Sequence, residues 1–61
     1  MYSLETPEEL EKAVGYIEQE RPHTNEIERL ALRCLQKTQE RKDLDMEYRV
    51  RLALISIHNG L

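Results

Sequence analysis

The sequence predicts an all-α fold, a small bundle of three helices over about residues 7–21, 25–42 and 44–58, working as a homodimer. Three observations lead there. Helix-start signals stand ahead of apolar residues spaced three and four apart. Strand signals are missing: no segment alternates strictly, and β-branched residues are few. The chain has only 61 residues, enough for a single domain over 1–61, and that size argues for a second copy.

The first helix opens at Thr6. Thr6-Pro7-Glu8-Glu9 supplies a hydroxyl cap, proline at the first helical position and glutamate at the third. The acids also favour the positive end of the helix dipole. Leu10, Ala13, Val14 and Ile17 then form one narrow stripe. Tyr16 flanks it, and Gly15 lies off it. Tyr2 and Leu4 precede the cap and are expected to fold over the core edge. Pro22 disfavours helix at Arg21, which sets the end.

The second helix starts at Thr24 or Asn25, with Asn25 and Glu28 in cap-and-acid spacing. Ile27, Leu30, Ala31, Cys34, Leu35 and Thr38 line an arc of roughly 140° at 100° per residue. Leu32 falls outside the arc and is expected to be exposed. Residues 36–43 are polar and lack glycine and proline, so either a break or one helix over about 25–58 fits them. Asp43-Leu44-Asp45 suits a cap better than a helix interior and favours the break.

The third helix carries two apolar stripes on roughly opposite sides. Leu44, Tyr48, Leu52 and Ile55 form the first; Met46, Val50, Ala53, Leu54 and Ile57 form the second. Asn59-Gly60 is the stop, with Leu61 able to fold back on Ile55. A helix greasy on two sides needs two neighbours. Two other helices of the same chain could fill both sides, or one side could meet another molecule.

Size favours another molecule. Ordering costs roughly 1.5 kcal/mol per residue and apolar burial returns about 25 cal/mol per Å², which nearly cancel in so short a chain. Cys34 is the only cysteine, so no disulfide can staple one chain. Self-association is therefore expected, and Met46, Val50, Ala53, Leu54 and Ile57 are assigned to the interface with a second copy or another partner.

Chemistry finds little purchase. Ser56 and His58 are two apart on a helix and point away from each other. The acids sit among lysines and arginines as a solvated helical surface would. Cys34, His23 and His58 lack the short paired spacings of zinc sites. No enzymatic activity, cofactor or metal is expected. Cys34 on an apolar stripe reads as a buried, inert thiol. The single free thiol and the lack of an apolar leader point to a cytoplasmic location, and no run approaches the roughly 20 apolar residues of a membrane span.

Net charge is −3, unevenly placed: residues 1–20 carry −5 and residues 21–61 carry +2. Arg29, Arg33, Lys37 and Arg41 recur every four residues as a basic strip. With Arg49 and Arg51 they could contact phosphates, which makes a small nucleic-acid-binding regulator the alternative reading. The acidic total opposes it, because nucleic-acid binders are commonly strongly basic. Ion pairs with Glu26, Glu40 and Glu47 would use the same cations.

The run Met1-Tyr2-Ser3-Leu4-Glu5-Thr6-Pro7-Glu8-Glu9-Leu10, with the chain length and the ending Asn59-Gly60-Leu61, resembles the very short early proteins of lambda-like temperate phages, encoded between their recombination and excision genes. That resemblance implies a bacterial cytoplasm and an accessory, regulatory role through protein binding, for instance in the choice between lysis and lysogeny. It implies a host or phage protein as partner and brings no catalytic residues.

Overall fold

The structure, a computed structural model, describes residues 4–20 and 24–60. Three helices follow one another: α1 (Pro7–Gln19), α2 (Asn25–Arg41) and α3 (Leu44–Gly60). No strand occurs among the described residues. Every helix touches the other two, with α2 and α3 in the most extensive contact. The all-α three-helix expectation holds. The expectations placed on Tyr2, Arg21, Pro22, His23 and Leu61 fall outside the described residues.

Local signals set the helix starts. Thr6 Oγ1 accepts from the Glu9 amide at 3.2 Å, with Pro7 in the first turn. Thr24, not Asn25, caps α2, its Oγ1 accepting from the Ile27 amide at 3.2 Å. A threonine in extended backbone (φ −103°, ψ 168°) can aim its hydroxyl at that amide, whereas Asn25 is already the first helical residue.

The polar segment after Gln36 resolves into a break two residues long. Lys42 adopts the left-handed conformation (φ 57°, ψ 37°). Its amide donates to Gln39 O at 3.2 Å and the Asp43 amide donates to Thr38 O at 3.0 Å. This is the paired closure that satisfies orphan carbonyls at a helix end. Asp43 then starts α3: its Oδ1 accepts from the Met46 amide at 3.2 Å, and its carbonyl from the Glu47 amide at 2.9 Å. Glycine is the usual residue at the left-handed position, and lysine there costs about 1 kcal/mol.

The core draws on all three helices. Leu10, Ala13, Val14 and Ile17 from α1 meet Ile27, Ala31 and Cys34 from α2 and Val50, Leu54 and Ile57 from α3. Leu4 closes one edge, and Leu30, Leu35, Met46 and Ala53 pack half-buried around it. Thr38 is the one buried polar side chain among the described residues, and its hydroxyl donates to Leu35 O at 2.8 Å. Leu35 O needs no rescue if that hydroxyl is lost, since a helical amide can still reach it.

Candidate functional site

The core takes one stripe of α3 and leaves the other outside. Val50 and Ile57 are fully buried and Leu54 nearly so. Leu44, Tyr48, Leu52 and Ile55 are 74%, 64%, 49% and 56% exposed. At 100° per residue the two groups lie roughly 160° apart, so one helix cannot bury both against a single pair of neighbours. Val50, Leu54 and Ile57, expected at an interface with a second copy or another partner, lie in the core of the bundle. Met46 and Ala53, expected there too, are half-buried against that core. Tyr48, expected to help fill a core, stands on the surface.

The reason is visible in the packing. Ala13 and Ala31 are fully buried, and Ala53 packs half-buried against the core. Small side chains on facing helices allow close approach, and the stripe carrying Ala53 suits that seam better than one of leucine, tyrosine and isoleucine. Two cross-helix contacts accompany this rotation of α3. Arg49 grips Glu18 of α1 with two bonds, Nη2 to Oε1 at 2.6 Å and Nε to Oε2 at 3.2 Å. On the opposite flank, His58 Nε2 lies 2.8 Å from Glu28 Oε2 of α2. Turning α3 to bury the outer stripe would break both contacts.

The clasp with Arg49 has an electrostatic consequence. The hydrogen bond from Arg49 holds the Glu18 carboxyl below the usual carboxylate range, against a smaller opposing effect of burial. The same bond raises Arg49 in turn.

The outer face of α3 is therefore an apolar strip with charged margins. Leu44, Tyr48, Leu52 and Ile55 follow at steps of four, four and three along about three helical turns. Glu47 and Arg51 border it on the side facing α2, joined at 2.7 Å. Asp45 and Ser56 border it on the side facing α1. Leu32, on α2, is half exposed as well. Soluble monomers rarely leave a run of large apolar side chains together in water.

Two of the four cations in the basic strip of α2 make contacts within the chain. Lys37 lies 3.6 Å from Glu5 and 3.8 Å from Glu40. Arg41 donates to the Glu5 carbonyl. These contacts tie α2 to the segment before α1. Arg29 and Arg33 are exposed on the outer side of α2 and form no ion pair among the described residues. Half of the expected phosphate-contacting set is thus engaged within the chain, and Arg49 and Arg51 are engaged as well.

Cys34 is fully buried, and burial pushes its thiol up to about 11. A thiol so protonated and enclosed is a poor nucleophile and a poor metal ligand. No group of three or more His, Cys, Asp or Glu side chains among the described residues is arranged to hold a metal ion. No helix is long and apolar enough to cross a membrane among the described residues.

Compared with known proteins, the chain matches no family model, no curated protein and no solved structure, so the outer face of α3 stands on its own geometry.

Proposed function

We propose that this chain is a non-catalytic interaction protein that assembles through the outer face of α3, with a homodimer as its working form. The observation that carries the reading is the exposure of Leu44, Tyr48, Leu52 and Ile55 as one stripe on a helix whose other side is already packed. The resemblance to short early proteins of lambda-like temperate phages supplies the class of target: a regulatory protein of the host or of the phage.

The energies agree with a reversible assembly. Each half-exposed leucine, isoleucine or tyrosine returns about 1 kcal/mol on being covered. Two copies covering their stripes and Leu32 gain on the order of 10 kcal/mol, against an association cost of roughly 4–15 kcal/mol. At the lower cost the surplus is about 6 kcal/mol, a dissociation constant of tens of micromolar.

Sedimentation of the wild type beside Leu52→Glu tests this. The wild type is expected to pass from monomer to dimer with concentration, and Leu52→Glu to stay monomeric while keeping its helix content. A variant that dimerises as the wild type does would remove the outer face of α3 from the account. Retention of DNA or RNA at low salt, lost on replacing Arg29 and Arg33 by alanine, would replace the reading with nucleic-acid binding.

A further inference from the structure

We infer that the row Arg29, Arg33, Lys37 and Arg41 on α2 is a docking site for an acidic segment of a partner protein, and that the chain's own segment before α1 occupies half of it. The inference concerns a different surface from the outer face of α3 and stands apart from it. The four cations recur every four residues, about 6 Å apart along the helix axis and about 18 Å from first to last. One half of the row is taken. Glu5 sets its carboxylate 3.6 Å from Lys37 Nζ, and its carbonyl accepts from Arg41. Glu40, within α2, shares Lys37 at 3.8 Å. Leu4, the neighbour of Glu5, is buried in the core and anchors the segment there. The other half is open: Arg29 and Arg33 are exposed and form no ion pair among the described residues.

The occupant already present shows which groups the row accepts. Both belong to a peptide, a side-chain carboxylate and a backbone carbonyl, and a non-helical segment delivers them. The chain's total charge of −3 disfavours a nucleic-acid strand, whose binders are commonly strongly basic. The hold of Glu5 is also weak. Its side chain is 76% exposed, and solvent screens a pair so placed. A partner's carboxylates can therefore displace it from Lys37 while others engage Arg29 and Arg33. The segment before α1 is then an internal competitor, and loosening it strengthens the partner's grip.

Fluorescence anisotropy with a fluorescein-labelled peptide of six glutamates tests this at low ionic strength, where exposed charges are least screened. Six extended residues reach about 20 Å, the length of the row. Glu5→Gln is expected to bind the peptide several-fold more tightly than the wild type. Glu11→Gln makes the same change of charge on α1 beside Arg49, and is expected to bind as the wild type does. Adding Arg29→Ala and Arg33→Ala to Glu5→Gln should abolish the gain. All these positions are exposed, and circular dichroism would verify that each variant keeps its helices. Equal gains from Glu5→Gln and Glu11→Gln would reduce the effect to net charge and overturn the proposal. Binding unchanged by loss of the two arginines, or no binding to any variant, would overturn it as well. An oligothymidylate of equal charge held more tightly than the peptide would assign the row to nucleic acid instead. Failure of the wild type to dimerise would count against the outer face of α3 and leave this result untouched.

Discussion

Two glutamates placed two residues apart on α3 should have opposite fates. Val50 is 1% exposed at the centre of the core. Val50→Glu forfeits roughly 1.5–3 kcal/mol of apolar burial. It also leaves an unpaired carboxylate among Leu, Ile and Ala side chains, at several kcal/mol more. A domain of this length holds only about 3–9 kcal/mol in total, taking 0.05–0.15 kcal/mol per residue. Val50→Glu is therefore expected to unfold the chain. Leu52 is half exposed and glutamate is nearly as good a helix former as leucine, so Leu52→Glu should change monomer stability by no more than about 0.5 kcal/mol. Far-ultraviolet circular dichroism melts at a dilution where the wild type is dissociated provide the assay, since a dimer would add concentration-dependent stability. The wild type and Leu52→Glu should melt together and Val50→Glu should show no transition. A folded Val50→Glu, or a Leu52→Glu that unfolds at that dilution, would refute the assignment of inner and outer stripes.

Further outcomes follow from the clasps and turns. Glu18→Gln should cost below about 1 kcal/mol, because both partners are at least a third exposed and solvent screens the pair. The Glu18 carboxyl is lowered in the folded chain, so its contribution is present above its ordinary value of 4.5 and fades as pH falls through the lowered one. Melts of wild type and variant should therefore converge in acid, and a constant gap would contradict the clasp. Gly15→Ala meets nothing within 4 Å of the added Cβ and should stabilise α1 by about 1 kcal/mol. Lys42→Gly should stabilise by a similar amount, by relieving the left-handed backbone at φ 57°. Urea titrations would measure both; a loss of stability at either position would show the local conformation to be wrong.

The helices were legible because their signals are local. Thr6-Pro7-Glu8-Glu9 contains the whole start of α1, and the Leu10, Ala13, Val14 and Ile17 stripe has only one way to face inward. The α2–α3 break was legible from Asp43, whose short side chain competes with the helix and serves it as a cap. Sequence could not tell which side of α3 faces the core. Both stripes are apolar and run the length of the helix, so periodicity gives two solutions of similar merit. The choice rests on packing against residues distant in sequence, Leu10, Ala13, Val14 and Ile17 of α1 and Ile27, Ala31 and Cys34 of α2. Ala53 was the one local hint, since a small residue marks the side that a neighbouring helix approaches closely. The intrachain contacts of the basic strip were hidden for the same reason. Its spacing was plain, but Glu5 lies 32 residues from Lys37, and only the fold brings the two together.

All of this reduces to which side chains on α3 change their surroundings when chains meet. A dilution series followed by two-dimensional amide and methyl resonance spectra reads that directly. Signals of Leu44, Tyr48, Leu52 and Ile55 should move with concentration while those of Val50, Leu54 and Ile57 stay fixed. Spectra that do not change with concentration, or changes centred on Arg29 and Arg33 instead, would contradict the assembly of this protein through its third helix.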